Sequence, residues 1–452
     1  MAASKKQIDM TQGSIAKQFL LFAAPLLLGD MLQQFYNTID SIIVGNFVSK
    51  QALAAVGATS PIVNILIGFC IGISTGATVI ISRRFGAKDK EGLKIAVITT
   101  FWLSVILGVL FTGIGVGMTP FMLKVLATPA DVMPVATEYL TIYFGGILGL
   151  IMYNMCSGIL RAVGDSRRPL YVLIFSSILN IILDLIFIIP LKMGVAGAAY
   201  ATIISQFLSA SVLIYMMYHT DDFAPLDLHH PILDKRVLSV IFGIGLPFGL
   251  QRSIISFSNT VVLSYVNRFG SGAMAAWSAH NKVDHVIFQT IQSMSAAVTT
   301  FVSQNLGAQR HDRIKKGIKI SFVITVAICT FYAFFLIVFR HQLIALFNRE
   351  ADVIYYGSIA LTIFGITNPI NAFIQIKAAV MRGYGRGKLP MFIMLFCYVV
   401  VRQIYLHIGW QYIQSFEFVV FSFPFSWAIC AAIMWISDYI TDRLEQKSES
   451  LL

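Results

Sequence analysis

An all-α integral membrane protein of twelve helices, arranged as two pseudo-symmetric six-helix lobes, is the fold class this sequence predicts. Three observations carry that expectation: an apolar composition, twelve apolar stretches of spanning length, and a pattern that returns after 221 residues. The chain has 452 residues, 57% hydrophobic and 12% charged, with a mean hydropathy of +0.76. A soluble protein of this size cannot hide so much apolar side chain in one core.

The apolar stretches fall at 15–44, 52–81, 95–117, 134–158, 169–190 and 194–218, then at 237–266, 275–304, 318–339, 353–380, 389–410 and 416–438. Each is long enough to cross roughly 30 Å of hydrocarbon at about 1.5 Å per residue. No stretch is left for a separate soluble domain. Lys5, Lys6 and Lys17 precede the first stretch, and no small-residue cleavage site follows at signal-peptide distance, so it reads as a retained first span with a cytoplasmic N-terminus. Twelve spans then place the C-terminus on the same side. Twenty-three Lys and Arg, Arg443 and Lys447 among them, fall on loops assigned to the cytoplasm, against six on the other side: Lys50, Lys124, Lys192, Arg268, Arg340 and Arg349. That asymmetry explains the net charge of +11 as membrane topology, with no nucleic-acid partner. The expected setting is a multi-pass protein of the plasma membrane, monomeric, with the bilayer as its surroundings. Cys70, Cys156, Cys329, Cys397 and Cys430 all lie within spans without a CxxC pattern, and read as small packing residues.

The repeat joins distant motifs at a nearly constant spacing. A shift of 221 lays Thr78, Ser82, Gly86 and Ala87 on Thr299, Ser303, Gly307 and Ala308, and lays Arg161, Gly164 and Pro169 on Arg382, Gly385 and Pro390. Near the start of each half the shift is 222, pairing Pro25, Asn37 and Thr38 with Pro247, Asn259 and Thr260. Six spans per copy is an even number, so both copies insert the same way up. The expected lobes are 1–218 and 237–452, joined by a cytoplasmic linker at 219–236 that carries two prolines and His229 with His230. A duplicated bundle with a cleft between its halves is the architecture expected of an alternating-access transporter.

Polar residues inside the spans are the functional candidates, because an acid in hydrocarbon is costly to keep. The first half holds Asp30, Asp40 and Asp184, with Glu138 near the outer edge. Asp184 lies before Pro190, Asp40 before Lys50 and Thr202 after Gly194, which puts all three roughly 9–15 Å below the outer ends of their helices. Asn180 shares a helix face with Asp184, and Tyr139 reaches the same layer. Carboxylate, amide and hydroxyl oxygens suit Na⁺, and two neighbouring carboxylates in low dielectric suit a proton. A single intramembrane acid can serve only to bridge helices; a level cluster on separate helices points to a cation site. The second copy lacks the set, with Val401 and Tyr405 at the positions of Asn180 and Asp184. Its spans carry Arg252, Lys282, Asp284, Lys377 and Arg402 instead.

These residues resemble the multidrug and toxic compound extrusion (MATE) family over essentially the whole chain. The marks are APLLLGDMLQQFYNTIDSIIVG at 24–45, the TVIISRRFGA end of the second span, RAVGDSRRP with its echo in the second half, and the NxxxD pair Asn180 and Asp184. Within the family the chain is similar to the branch related to the DNA-damage-inducible F protein. The resemblance implies that Asp40, Asn180, Asp184 and Thr202 bind the coupling H⁺ or Na⁺, with Tyr139 and Asn154 in the surrounding hydrogen-bond network and no other cofactor.

The expected function is a cation-coupled antiporter that exports small amphipathic compounds, with the first helix hinging at Pro25, where a backbone hydrogen bond is missing. The substrate cavity is expected to be lined by Met31, Phe35, Tyr36, Arg252, Asp284 and Arg402. Those arginines leave open an anionic or zwitterionic metabolite as cargo, or a lipid-linked precursor moved by a flippase. A channel lacks a filter-like segment, and an enzyme lacks motifs such as HExxH or GxSxG.

Overall fold

The computed structural model describes residues 8–220 and 231–449, the side chains of 438–449 excepted. Lys5, Lys6, His229 and His230 lie outside the described residues, as do the side chains of Arg443 and Lys447. No strand occurs among the described residues. The helices are α1 (Ile15–Phe47), α2 (Lys50–Gly86), α3 (Lys90–Val125), α4 (Met133–Gly145), α5 (Ile147–Ala162), α6 (Arg167–Ile188), α7 (Gly194–Tyr218), α8 (Lys235–Val266), α9 (Ser271–Gly307), α10 (His311–Val338), α11 (Arg340–Ala345), α12 (Ala351–Gly383), α13 (Lys388–Leu395), α14 (Arg402–Gly409) and α15 (Phe416–Glu449).

Each of the twelve expected spans is helical, with two local differences. Ten helical segments among the described residues are long and apolar enough to cross a membrane, one of them Lys388–Gly409, in which a π-helical turn, Phe396–Val401, joins α13 to α14. The fourth span is broken: α4 and α5 meet at 48°. Gly145 and Gly146 sit at the break, and a pair of glycines is a common cause of a sharp kink. Ile203 of α7 lies against Gly146 so closely that a Cβ there would collide with it. The eighth expected span is α9, 37 residues long, which carries His280, Lys282, Asp284 and His285 and is not among those ten. All five cysteines are buried and free.

Helix starts follow from short polar caps, which satisfy backbone N–H groups that have no partner inside the helix. Ser49 Oγ accepts from Ala52 N at 3.1 Å, and Asp89 Oδ1 accepts from Gly92 N at 2.9 Å. Asp165, fully buried, accepts from the backbone N–H of Arg167 and Arg168 and pairs with Arg168 Nε at 3.2 Å. Asp234 does the same for α8, accepting from Arg236 N and Val237 N.

The chain forms two compact units: Met1–Gly249 with Ser303–His311, and Leu250–Val302 with Asp312–Leu452. In the first, Ile73, Ala77, Phe101, Leu140, Ile159 and Leu160 are core residues shared by α2, α3, α4 and α5. In the second, Trp277, Phe364, Phe416, Phe423 and Trp427 build an aromatic core. Lipid gives little hydrophobic drive between helices, so close packing and hydrogen bonds must hold them. Ser74, Thr78 and Ser82 of α2 donate to the carbonyls of Asn154, Gly158 and Ala162 on α5, at 2.9, 3.2 and 2.9 Å. Ser295 and Thr299 of α9 donate likewise to Gln375 and Ala379 on α12, at 3.4 and 3.2 Å.

Those two zippers are the same residues read 221 positions apart, and the backbone repeats as well. Lys88 and Gln309 take φ of 56° and 57°, while Gly164 and Gly385 both take 89°. Within the first unit α2 and α9 cross in backbone contact at Gly86 and Gly307. A Cβ on Gly86 would run into the Gln304 carbonyl, and one on Gly307 into that of Arg83.

Candidate functional site

Five helices of the first unit surround the candidate site. Ile43 and Val44 of α1, Ala52 of α2, Tyr139 of α4, Ile188 of α6, and Val195, Ala198 and Ala199 of α7 form one buried cluster. Beside it, α6 presents Ser177, Asn180 and Asp184 at i, i+3 and i+7, all on its buried face. Asp184 is fully buried and Asn180 is 3% exposed.

The electrostatics bring together residues the sequence places on separate helices. Asp40 lies within electrostatic range of Asp184, and both lie within range of the Tyr36 and Tyr139 hydroxyls. Two carboxylates and two phenols from α1, α4 and α6 therefore form one electrostatic group. Both carboxylate oxygens of Asp184, Oδ1 of Asp40, and Oδ1 and Nδ2 of Asn180 are buried with no hydrogen bond from the protein. Buried polar atoms are almost always paired, so this concentration of unpaired oxygens stands out from the rest of the unit. The oxygens suit a hard monovalent cation, and no group of three His, Cys, Asp or Glu capable of holding a metal occurs among the described residues.

The other expected residues divide. Tyr139 is buried and stacks on Tyr143 at 6.2 Å. Thr202 is half-buried on α7. Asn154 donates one of its two Nδ2 hydrogens to Leu150 O in its own helix at 2.9 Å. Pro25 lies inside a continuous α1. Met31 and Phe35 on the same helix are 41% and 65% exposed, while Tyr36 is half-buried. Ser177 and Ser205 escaped the sequence reading, yet both are buried with unpaired hydroxyls. Their signal was one helical turn of spacing from Asn180 and from Thr202.

In the second unit Arg402 departs from expectation. It was expected to line a cavity, but it is 1% exposed. Its Nε and Nη2 donate to Ser426 Oγ at 3.1 and 3.0 Å, and Nη1 donates to Asn259 Oδ1 at 2.9 Å. The guanidinium also lies 4.2 Å from the Phe423 ring centroid and 5.1 Å from that of Tyr398. Arg402 is thus a tie among α8, α14 and α15, because its donors and its π face are spent inside the unit. Asp284 accepts from Asn368 Nδ2 at 2.9 Å. Arg252 acts electrostatically on Arg382. In the first unit Arg161, the partner of Arg382 in the repeat, is instead acted on by Asp30.

With that geometry established, comparison with known proteins is direct. A family model described as MatE matches residues 25–186 and, a second time, residues 247–406. The chain belongs to the MATE family. The two matches divide this MATE chain as its internal repeat does. It is 32% identical over 392 residues to the probable multidrug resistance protein YoeA of Bacillus subtilis, covering 85% of this chain and 84% of that one. It is 22% identical over 433 residues to a FAD transporter of Shewanella oneidensis, covering 93% of each. Its fold matches an outward-facing multidrug resistance MATE transporter of the MOP superfamily with a TM-score of 0.90 at 24% identity, covering 98% of this chain and 100% of the other. A MOP superfamily transporter from Pyrococcus furiosus, whose binding pocket is described as reversed in polarity, matches with a TM-score of 0.89 at 24% identity, over 97% and 98%. This MATE protein is a multi-pass membrane transporter with a small-molecule substrate, and not an enzyme.

Proposed function

We propose that this MATE transporter is a secondary antiporter exporting amphipathic drug-like compounds by alternating access, driven by H⁺ or Na⁺ bound at Asp40 and Asp184. The observation behind it is the acid pair, fully buried Asp184 and half-buried Asp40, in which both oxygens of Asp184 and Oδ1 of Asp40 have no internal hydrogen bond. Two like charges in low dielectric repel strongly, and taking up one cation or proton relieves that repulsion. Loading therefore favours close packing of α1 on α6, and unloading favours its separation. Pro25 offers the bend point, since its missing N–H weakens α1 locally. Asn180 and Thr202 supply further oxygens, and Tyr139 and Asn154 hold the surrounding helices in register. Met31, Phe35 and Tyr36 are the α1 residues proposed to meet substrate. The lobes exchanging access are 1–218 and 237–452, joined by 219–236, in a monomer of the plasma membrane with both termini cytoplasmic. Multidrug resistance relatives such as YoeA support the substrate class.

Purified protein in proteoliposomes, loaded with ethidium and given separate Na⁺ and pH gradients, tests this. One gradient should drive ethidium transport, and Asp184→Asn should lower the driven rate at least tenfold. Undiminished driven transport by Asp184→Asn would end the coupling reading.

A second reading, export of an anionic or zwitterionic metabolite, rests on one observation. Arg252 lies within electrostatic range of Arg382, and at the matching place in the first copy Asp30 lies within range of Arg161. The FAD transporter among the relatives is compatible with it.

A further inference from the structure

We infer that Ile8–Gly13, the segment before α1, is a latch that clasps the end of α9 and must let go during the transport cycle. The inference rests on the alternating-access reading above. Met10 is completely buried and Thr11 is 7% exposed. Two amide side chains of α9 take both backbone polar groups of Met10. Its N–H donates to Gln304 Oε1 at 3.1 Å, and its carbonyl accepts from Asn305 Nδ2 at 3.0 Å. The next carbonyl, of Thr11, accepts from Arg310 Nη1 at 3.0 Å. On the other side Ile8 N donates to Gly164 O at 3.1 Å. Gln304 completes the clasp, because its Nε2 donates to Ala162 O, at the end of α5, at 2.8 Å.

The segment is shaped for this position. Asp9 Oδ1 accepts from both the N–H and the hydroxyl of Thr11, at 2.9 and 2.6 Å, and Gln18 Nε2 donates to Asp9 O at 2.8 Å. Gly164, with φ +89°, leaves room where a Cβ would strike the Ile8 carbonyl. The repeat supplies an internal control. Residues matching Gln304, Asn305 and Arg310 in the first copy are Arg83, Arg84 and Asp89, and there Arg84 Nη1 pairs with Asp89 Oδ2 at 2.7 Å. Only the α9 copy carries side-chain amides that read a peptide backbone.

The latch has a lever attached. α9 is one unbroken helix, yet its Ser271–Val302 portion belongs to the second unit and Ser303–Gly307 to the first. Movement of the long portion must therefore bend α9 or pull Gln304 and Asn305 off Met10. Breaking a few hydrogen bonds to side chains is the smaller cost, since bending also breaks helix backbone bonds.

The test uses the full chain with its five native cysteines replaced by alanine, carrying Met10→Cys and Asn305→Cys, reconstituted in proteoliposomes. Oxidation should form a disulfide, confirmed by mass, and slow gradient-driven ethidium transport at least tenfold, with reduction restoring it. Separately, Gln304→Ala with Asn305→Ala should speed hydrogen exchange across 303–311 at least tenfold and leave that of the α2–α5 core unchanged. The latch is overturned if the disulfide fails to form, if oxidised and reduced protein transport equally, or if exchange at 303–311 does not change. Absence of driven transport from the reduced protein would instead count against the antiporter reading, and the exchange measurement would still decide the latch.

Discussion

Single residues set the sharpest expectations. Asp89 caps α3 through Gly92 N–H and also meets Arg84; the first of these, helped by the second, holds its carboxyl below the usual range although partial burial opposes them. A depressed folded value contributes stability above the unfolded value near pH 4, and that stability is lost as pH falls through the folded value. Asp89→Asn keeps an oxygen for the Gly92 N–H and removes only the charge, so it should cost less than about 1 kcal/mol at pH 7, the exposed ion pair being screened. The gap to wild type should close as denaturation midpoints are followed into acid. Arg402→Met is expected to behave differently from a cavity mutation. It strips donors from buried Ser426 and Asn259, so unfolding in detergent should become easier by about 2 kcal/mol. Unchanged stability with altered ethidium affinity would return Arg402 to a substrate-facing role.

At the scale of helices, length and apolarity made the helical stretches legible, although α9, read as one more apolar stretch, carries His280, Lys282, Asp284 and His285 and is not among the helices apolar enough to span. What stayed hidden was the break between α4 and α5, because Gly145 and Gly146 sit in a run that reads as continuous and only Ile203 of a distant helix shows why the bend is kept. The π-helical turn was hidden too, as nothing in FCYVVV distinguishes it from α-helix. The acid pair was legible since carboxylates are conspicuous in apolar sequence. Ser177 and Ser205 were not, because serine is ordinary between packed helices and only its unpaired hydroxyl singles it out. The helix crossing gives a prediction of its own: Gly86→Ala and Gly307→Ala should each destabilise by about 1–3 kcal/mol, since the obstacle is backbone and cannot rotate aside. Thermal unfolding of each variant checks it, and Gly243→Ala, which meets nothing within 4 Å, is the control.

For the whole molecule, duplication followed by divergence explains the division of labour. Both copies retain the serine and threonine zipper, the paired positive-φ turns and the arginine reaching Ser74 or Ser295, at 3.4 and 2.8 Å. Chemistry has parted around that shared frame. The first copy keeps Asp40, Asn180 and Asp184, while the second carries Arg252 where the first has Asp30. Arg252→Asp would restore the charge pattern of the first copy. It should raise ethidium transport and lower that of an anionic dye such as fluorescein, each by several-fold in the same vesicles. Equal rates for both dyes before and after would separate Arg252 from cargo choice.

The meeting of Gly86 with Gln304, and of Gly307 with Arg83, has an evolutionary reading. Position 83 in one copy is position 304 in the other, so each contact is the other's image. In an ancestor made of two identical six-helix chains this would have been one patch touching itself, and every mutation there would have struck both sides at once. Joining the two copies in one chain removes that constraint, because each side can then change alone. The glycines stayed, and the residue beside them was free to become arginine on one side and, on the other, the glutamine that holds the chain's own beginning.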